Sequence, residues 1–270
     1  MAADHSWQAV LDPGASDDFF GIEQPSGVNV DANGFSPVNA WWMSELSRLI
    51  YRRDQTEGVT SKFSRNDFLA RAGLIERHFF NHVHIQAALI ETVSGAPSDF
   101  AALVFRGTAG RLSNWRFNVD ILLCPWPSGG MVHRGFSHLI NAVWDAIAAP
   151  LGNLTKPLFY TGHSLGGALA TLAASLHAPR AVYTFGAPRI GDAAFARHLS
   201  KVPVFNVVNP RDIVTQLPPT GRRARFVHAG TIVKNADRFT PYRPLGQAPA
   251  FLADHAPLNY TAQLPIAFEN

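Results

Sequence analysis

Hydrophobic positions along the chain follow two rhythms. Trp41, Trp42, Leu46, Leu49 and Ile50 recur three or four residues apart, the period of a helix with one buried face, so residues 38–53 are predicted helical. Ser36-Pro37 stands just ahead, a cap followed by proline at the first helical position. Ser64 followed by Asp67 resembles a capping box opening a short helix over 65–72. Continuous apolar runs then predict strands at Ile85–Val93 and Ala101–Phe105, divided by the turn-like Ser94-Gly95-Ala96-Pro97-Ser98. Further along, Leu139, Ile140, Val143, Trp144 and Ile147 mark a helix over Phe136–Ala149. A short strand at Leu158–Tyr160 leads to an Ala- and Leu-rich helix at Leu165–His177. Ala181–Phe185 and Val204–Val208 read as strands flanking a helix from Ala193 to Ser200. Strands alternating with helices predict an α/β fold, a mostly parallel sheet covered on both faces.

Two stretches lack either rhythm. Residues 1–35, rich in Gly, Asp, Asn and Pro, read as an irregular N-terminal arm, and residues 107–130 as a long segment dense in Gly, Pro and Trp. Nothing repeats and no linker divides the rest, so residues 36–270 are expected to form a single domain, within the usual size for a large α/β unit.

Composition narrows the classes. Apolar residues make up 47% and charged residues 16%, which suits a packed core and argues against disorder. The lone cysteine, Cys124, excludes an intramolecular disulfide and a Cys-rich zinc site, and reads as a small packing residue. Net charge is +3. The densest basic cluster, Arg222, Arg223 and Arg225, reads as a solvated loop, with attraction to an anionic lipid surface as the sharper alternative. It lacks the broad basic face and interleaved aromatics that nucleic acid requires. No apolar run is long enough to span a bilayer. The first residues have no cationic start and no apolar core of a signal peptide. That leaves a cytoplasmic protein, one exported after loss of a leader, or one exported by another route. His78, His82 and His84 could suggest a metal, but the i, i+4 pair needs a helix and these residues lead into a strand, so no metal and no cofactor is expected.

The chemistry concentrates at Gly162-His163-Ser164-Leu165-Gly166, a G-x-S-x-G pattern between a predicted strand and a predicted helix. A serine presented for nucleophilic attack must sit on a sharp turn, and glycines two residues to either side let the backbones meet there. Chance alone places this pentapeptide in about one such chain in ten, so the flanking strand and helix carry the weight. The helix start also aims free N–H groups at the reacting carbon, that of Leu165 first. Such a serine needs a base, and the base an acid, in the chain order Ser, Asp or Glu, His. Of the later aspartates, Asp192 reads as a helix cap, Asp237 lies in a polar loop, and Asp212 follows the strand Val204–Val208, where α/β sites are assembled. Of the later histidines, His228 falls in a predicted strand, Arg225–Ala229, and reads as structural. His255 follows Asp254 in a late loop. His163 points away from the serine hydroxyl by the geometry of the turn and is expected to pack beneath it.

Five segments occur in order: Phe105-Arg106-Gly107-Thr108, Val132-His133-Arg134-Gly135-Phe136, GHSLGGALA at 162–170, Thr184-Phe185-Gly186-Ala187-Pro188-Arg189 and Asn209-Pro210-Arg211-Asp212. Together they resemble the class 3, or fungal lipase-like, family of α/β-hydrolases over roughly residues 40–262. The resemblance implies an α/β-hydrolase fold and a Ser164, Asp212, His255 triad, with the family's Asn-Pro-x-Asp falling on Asp212 and its late Asp-His segment on 254–255. It implies that Thr108 joins Leu165 as an oxyanion donor. It also makes the stretch bearing Leu112, Trp115 and Val119 a lid, a fixed packing helix being the alternative. Asn118 departs from the pattern, standing where the family more often has an aspartate that supports the oxyanion residue. The activity implied is hydrolysis of a carboxylic ester at a lipid–water interface, foremost as a triacylglycerol lipase. A phospholipase A1 or a feruloyl-type esterase on soluble substrates uses the same core. A lipid-binding pseudo-hydrolase is the non-enzymatic rival, and such relatives usually lose a triad member.

Overall fold

The computed structural model describes residues 4–21, 24–52, 63–82, 85–96, 98–108, 122–220, 226–235 and 246–264. Among them a seven-stranded sheet runs in the order β1-β2-β3-β6-β7-β8-β9, with β1 Leu74–His82, β2 Ile85–Thr92, β3 Ala101–Phe105, β6 Leu158–His163, β7 Ala181–Phe185, β8 Val204–Val208 and β9 Thr231–Lys234. The first three strands form an antiparallel meander, and β3, β6, β7, β8 and β9 pair in parallel.

Alternation along the strands separates two cores. Leu103, Phe105, Tyr160 and Val182 face the helix α6, Leu165–Leu176, together with α4, Arg134–Asn141, and α5, Trp144–Leu151. Val104, Phe159, Tyr183 and Val207 face α2, Pro37–Leu49. Burial on both faces explains why these strands read as continuous apolar runs rather than alternating ones. The helix starts follow their caps. The Ser36 hydroxyl accepts from Asn39 N with Pro37 next in line, Ser64 and Asp67 close a capping box on α3, Arg65–Arg71, and the Asp192 carboxylate accepts from Phe195 N at the start of α7, Ala193–His198.

Four departures from the sequence reading have local causes. The single helix expected over Phe136–Ala149 is two, broken at Val143 (φ −126°, ψ −10°). Ile140, Val143 and Ile147 stay buried together across the break, so the apolar period survives it. In the segment read as structureless, β4, Leu123–Pro125, pairs with β5, Met131–His133, through a turn whose Gly129 and Gly130 both have positive φ. The strand expected at Arg225–Ala229 is not formed. Val227 makes an isolated bridge to Gly191, and pairing with β8 begins only at Thr231. Gly230, at φ +84°, passes so close to Val204 that a Cβ there would lie 2.3 Å from its carbonyl oxygen. Finally, the arm is not wholly irregular, since α1, Trp7–Leu11, is capped by Ser6.

Buried arginines of α2 and its end bind the arm to the domain. Arg52 donates to the Gly14 and Ser16 carbonyls and to Asp17. Arg48, with no exposed side-chain surface, bridges Asp18 at 2.7 Å and Glu45 at 2.9 Å, and the Glu45 carboxylate also accepts from Phe20 N. Removing one partner of such a pair leaves the other charge buried and unmatched. Arg48→Met should therefore lower the unfolding free energy by about 3–5 kcal/mol. In urea denaturation the Glu45→Gln, Arg48→Met double variant should unfold later than the single one.

Candidate active site

The kink after β6 has little freedom in its residue types. Ser164 sits at φ +57°, ψ −127°, between the strand and the helix that starts at Leu165. A Cβ on Gly162 would lie 2.3 Å from the Gly166 carbonyl carbon, and one on Gly166 would lie 2.2 Å from the Phe105 carbonyl oxygen. Strand, helix and neighbouring β3 touch backbone to backbone, which is why both flanking residues are glycine. The Ser164 amide donates to the Phe185 carbonyl at 2.9 Å, pinning the turn to β7.

The structure brings the three sequence-predicted side chains together. His255 Nδ1 lies 2.8 Å from Asp212 Oδ2, and its Nε2 lies 3.0 Å from Ser164 Oγ. The carboxylate can only accept, so Nδ1 carries the proton and Nε2 accepts from the serine hydroxyl. Asp212 is fully buried and its charge is met by three donors. Besides His255, Tyr260 donates from its hydroxyl to Oδ2 at 2.6 Å, and Val214 N donates to Oδ1 at 2.8 Å. Burial first, and the Asp212 charge second, push the Tyr260 phenol well above its usual range, so it remains a donor.

The loops that carry Asp212 and His255 are laced together. Arg211 Nε donates to Asp254 Oδ2 at 3.0 Å. Asn209 donates through Nδ2 to the Asp254 carbonyl and through its amide to the Tyr260 hydroxyl. Gly186, at φ +61°, faces the acid–base bond: a Cβ there would lie 2.7 Å from Asp212 Oδ2 and 3.1 Å from His255 Nδ1. Asn209 and Gly186 enter the sequence segments only as pattern letters, and Tyr260 lies outside those five segments. Their hydrogen bonds and clearances depend on tertiary packing that no local spacing reveals.

The remaining candidates take varied places. Gly107 abuts the serine, with an added Cβ 3.3 Å from Ser164 Cβ, and Thr108 follows it, exposed, at the exit of β3. Leu165 opens α6 directly after the Ser164 cap, whose carbonyl accepts from the Gly167 amide at 3.0 Å. His163 lies beneath the site, with Nδ1 3.0 Å from the Tyr51 hydroxyl and Nε2 2.6 Å from the His255 carbonyl. Burial, with His255 acting in the same sense, holds His163 well below the usual imidazole range, against the carbonyl hydrogen bond that favours the protonated ring. His228 donates or accepts no bond to this group; its Nε2 contacts the Thr215 carbonyl at 2.8 Å. Leu112, Trp115 and Val119, with Asn118, Asp120, His84, Arg222, Arg223 and Arg225, lie outside the described residues. Among the described residues no three His, Cys, Asp or Glu side chains gather as a metal site, and no helix is long and apolar enough to cross a membrane.

Comparison with known proteins finds lipases similar to part of the chain. The model of the family "Lipase (class 3)" matches residues 102–221, from β3 past Asp212. A lipase of Rhizomucor miehei is 36% identical over 146 residues, covering 47% of this chain and 39% of that protein. The secreted mono- and diacylglycerol lipase 1 of Fusarium solani is 34% identical over 123 residues, covering 39% of this chain and 36% of that protein. The chain thus spans about two fifths of the length of these relatives. Among solved structures, the triacylglyceride lipase of Rhizomucor miehei superposes with a TM-score of 0.61 at 27% identity, over 73% of this chain and 78% of that one. The fold is that of the α/β-hydrolases, and the matched region, which holds the strand exit at Gly107, the serine kink and Asp212, is similar to the class 3 lipase family.

Proposed function

We propose that the chain is a serine hydrolase of carboxylic esters, acting as a triacylglycerol lipase, with Ser164 as nucleophile, His255 as base and Asp212 as orienting acid. The observation that carries this reading is the unbroken line of hydrogen bonds from Ser164 Oγ through the His255 ring to Asp212, at 3.0 and 2.8 Å. Its support in kind is the company of lipases in which the chain falls.

The steps follow from the donors and acceptors. His255 Nε2 takes the hydroxyl proton as Ser164 Oγ bonds to the ester carbonyl carbon. The carbonyl electron pair moves onto oxygen, where the Leu165 amide and Thr108 donate to it. Each such donor contributes about 2.7–4 kcal/mol. The oxyanion collapses, the carbon–oxygen bond to the alcohol breaks, and His255 returns its proton to the leaving oxygen. Water gives a proton to the same ring and attacks the acyl carbon, the bond from that carbon to Ser164 Oγ breaks, and His255 returns the proton to Oγ as the acid leaves. Asp212 keeps its negative charge throughout and stabilises the imidazolium. No step uses a cofactor. An ester lipid at a lipid–water interface is the substrate class.

Ser164→Ala should lower the hydrolysis rate by at least about 10⁴-fold, and Asp212→Asn by about 10⁴-fold through loss of the correct tautomer. Urea midpoints near the parent's would show that both variants fold, and full activity in a folded Ser164→Ala protein would end this reading. Gly186→Ala, which drives a methyl against Asp212 and His255, should cut kcat by about 10²-fold while KM changes little. Initial rates on tributyrin, followed through its solubility limit, should jump at that limit. Smooth saturation would instead indicate an esterase on dissolved substrates, and preference for a diacyl phospholipid over tributyrin a phospholipase A1.

A further inference from the structure

Under the line formed by Ser164, His255 and Asp212 runs a second line of polar contacts that acyl transfer does not use. It begins at the exit of β3, where the Gly107 backbone passes so close to the Tyr51 hydroxyl that a Cβ there would lie 2.1 Å from its oxygen. Tyr51 continues to His163 Nδ1 at 3.0 Å, and His163 Nε2 reaches the His255 carbonyl at 2.6 Å. Tyr51, His163 and His255 are each at most 4% exposed. Four residues distant in sequence thereby join the turn that carries Thr108 to the main chain of the base.

The chemistry of the contacts assigns every proton. A carbonyl only accepts, so His163 carries its hydrogen on Nε2. Its Nδ1 then holds a lone pair, and Tyr51 supplies the donor. Burial keeps the Tyr51 phenol protonated, against the Arg106 charge and the Gly107 N–H, which act the other way. Packing alone does not explain this arrangement. Gly107 leaves vacant the place where a Cβ would stand 2.1 Å from the Tyr51 oxygen and 2.6 Å from the His163 carbonyl. The backbone has made room for the hydroxyl. Moreover, the His163 and His255 rings are 4.6 Å apart between centroids, tilted 44°. Attack by Ser164 turns the His255 ring into a cation, and a second cation at that separation would oppose it. The Tyr51 donor occupies the one nitrogen where His163 could take a further proton. The other groups facing this pair are Tyr260, with its ring 5.9 Å from that of His163, Arg106 over the Tyr51 ring at 5.6 Å, and Asp212 beyond His255.

We infer that Tyr51 and His163 are positioning residues: Tyr51 locks His163 as the neutral Nε2–H tautomer, and His163 in turn holds the main chain of His255 in register with the Gly107–Thr108 turn. This rests on His255 being the base, as proposed above. The experiment uses the full chain and p-nitrophenyl butyrate, with Tyr51→Phe, His163→Phe, His163→Gln, their parent and Ser164→Ala. Tyr51→Phe removes one oxygen from a site that keeps its shape, so it tests the inference even if the larger change at 163 prevents folding. It should lower kcat about 10-fold with KM within about 2-fold, and His163→Phe should lower kcat about 100-fold. His163→Gln, which retains a donor for the His255 carbonyl and an acceptor for Tyr51, should recover much of that loss. The double variant Tyr51→Phe, His163→Phe should be no slower than His163→Phe alone, because both act through one ring. In ¹⁵N-histidine spectra the parent's His163 should stay a neutral Nε2–H ring from pH 5 to 8, and Tyr51→Phe should release it from that single form. Parental kcat in a folded Tyr51→Phe protein, multiplying losses in the double variant, or a His163 that titrates in the parent over this range would each overturn the inference. Activity surviving in Ser164→Ala would mark failure of the hydrolase reading instead.

Discussion

The structure turns on the close approach of three backbones at one kink. The end of β6, the first turn of α6 and the exit of β3 meet around Ser164 with no space for a Cβ at 162 or 166. A non-glycine residue at φ +57° costs on the order of 1–3 kcal/mol and persists only where its surroundings over-determine it. Here they do. The Ser164 amide is bonded to β7, and the helix that follows is buried almost throughout against both neighbouring strands. The same strain that lifts the hydroxyl out of the strand also points the helix start at whatever that hydroxyl attacks.

Once the serine is placed, the other two groups must come to it, and they come on loops. Asp212 follows the end of β8, and His255 comes after β9 on the short link between α8, Ala250–Ala253, and α9, Pro257–Gln263. Loops carry chemistry when a rigid scaffold places them, and these two stiffen each other. The Arg211–Asp254 ion pair, the two contacts of Asn209 and the Tyr260 hydroxyl form one buried lattice. Its hydrogen bonds leave Asp212 charged yet matched, so the carboxylate can orient an imidazole without being drawn into solvent.

How much of this could be read from the chain depends on the range of the cause. Ser36, Ser64 and Asp192 declare helix starts because a cap acts within three residues. The serine kink declares itself because glycine, serine and glycine must stand in fixed order. Asp212 was legible from its place after a strand together with the Asn-Pro-x-Asp pattern. By contrast, β1 is an edge strand that buries little, with Ile75 and Phe79 exposed and charged or polar residues dividing its apolar ones, so Leu74–His82 shows no continuous apolar run. β9 is likewise an edge, and the strand was expected several residues early because the crossing at Gly230 is imposed by Val204, a distant residue. The break at Val143 leaves the apolar period intact. Tyr51 lies just beyond the C-terminal end of an amphipathic helix, where it reads as one more core aromatic. Only its hydroxyl, meeting His163 at the end of β6, gives it another meaning.

The arm that looked irregular is bound into the same system at its far end. Asp4 N donates to Asn259 Oδ1 at 2.7 Å, the Asn259 amide returns a bond to the Asp4 carbonyl at 2.6 Å, and Ala248 N donates to the His5 carbonyl. Ala9 and Val10 of α1 pack with Ala248, Ala253 and Ala256, residues on either side of His255. These are small side chains, and their burial supplies only modest stabilisation to a loop that must hold an imidazole within hydrogen-bonding distance of two partners. The polar exchange between Asp4 and Asn259 therefore matters more than its count of bonds suggests. It ties the arm at Asp4 to the segment that follows His255, while Arg48 and Arg52 hold the arm further on, at Gly14–Asp18, against α2 and its end. In this arrangement the helix that ends beside Tyr51, the arm and the His255 loop share one set of supports, so the position of the His255 ring depends on parts of the chain that lie nowhere near it in sequence.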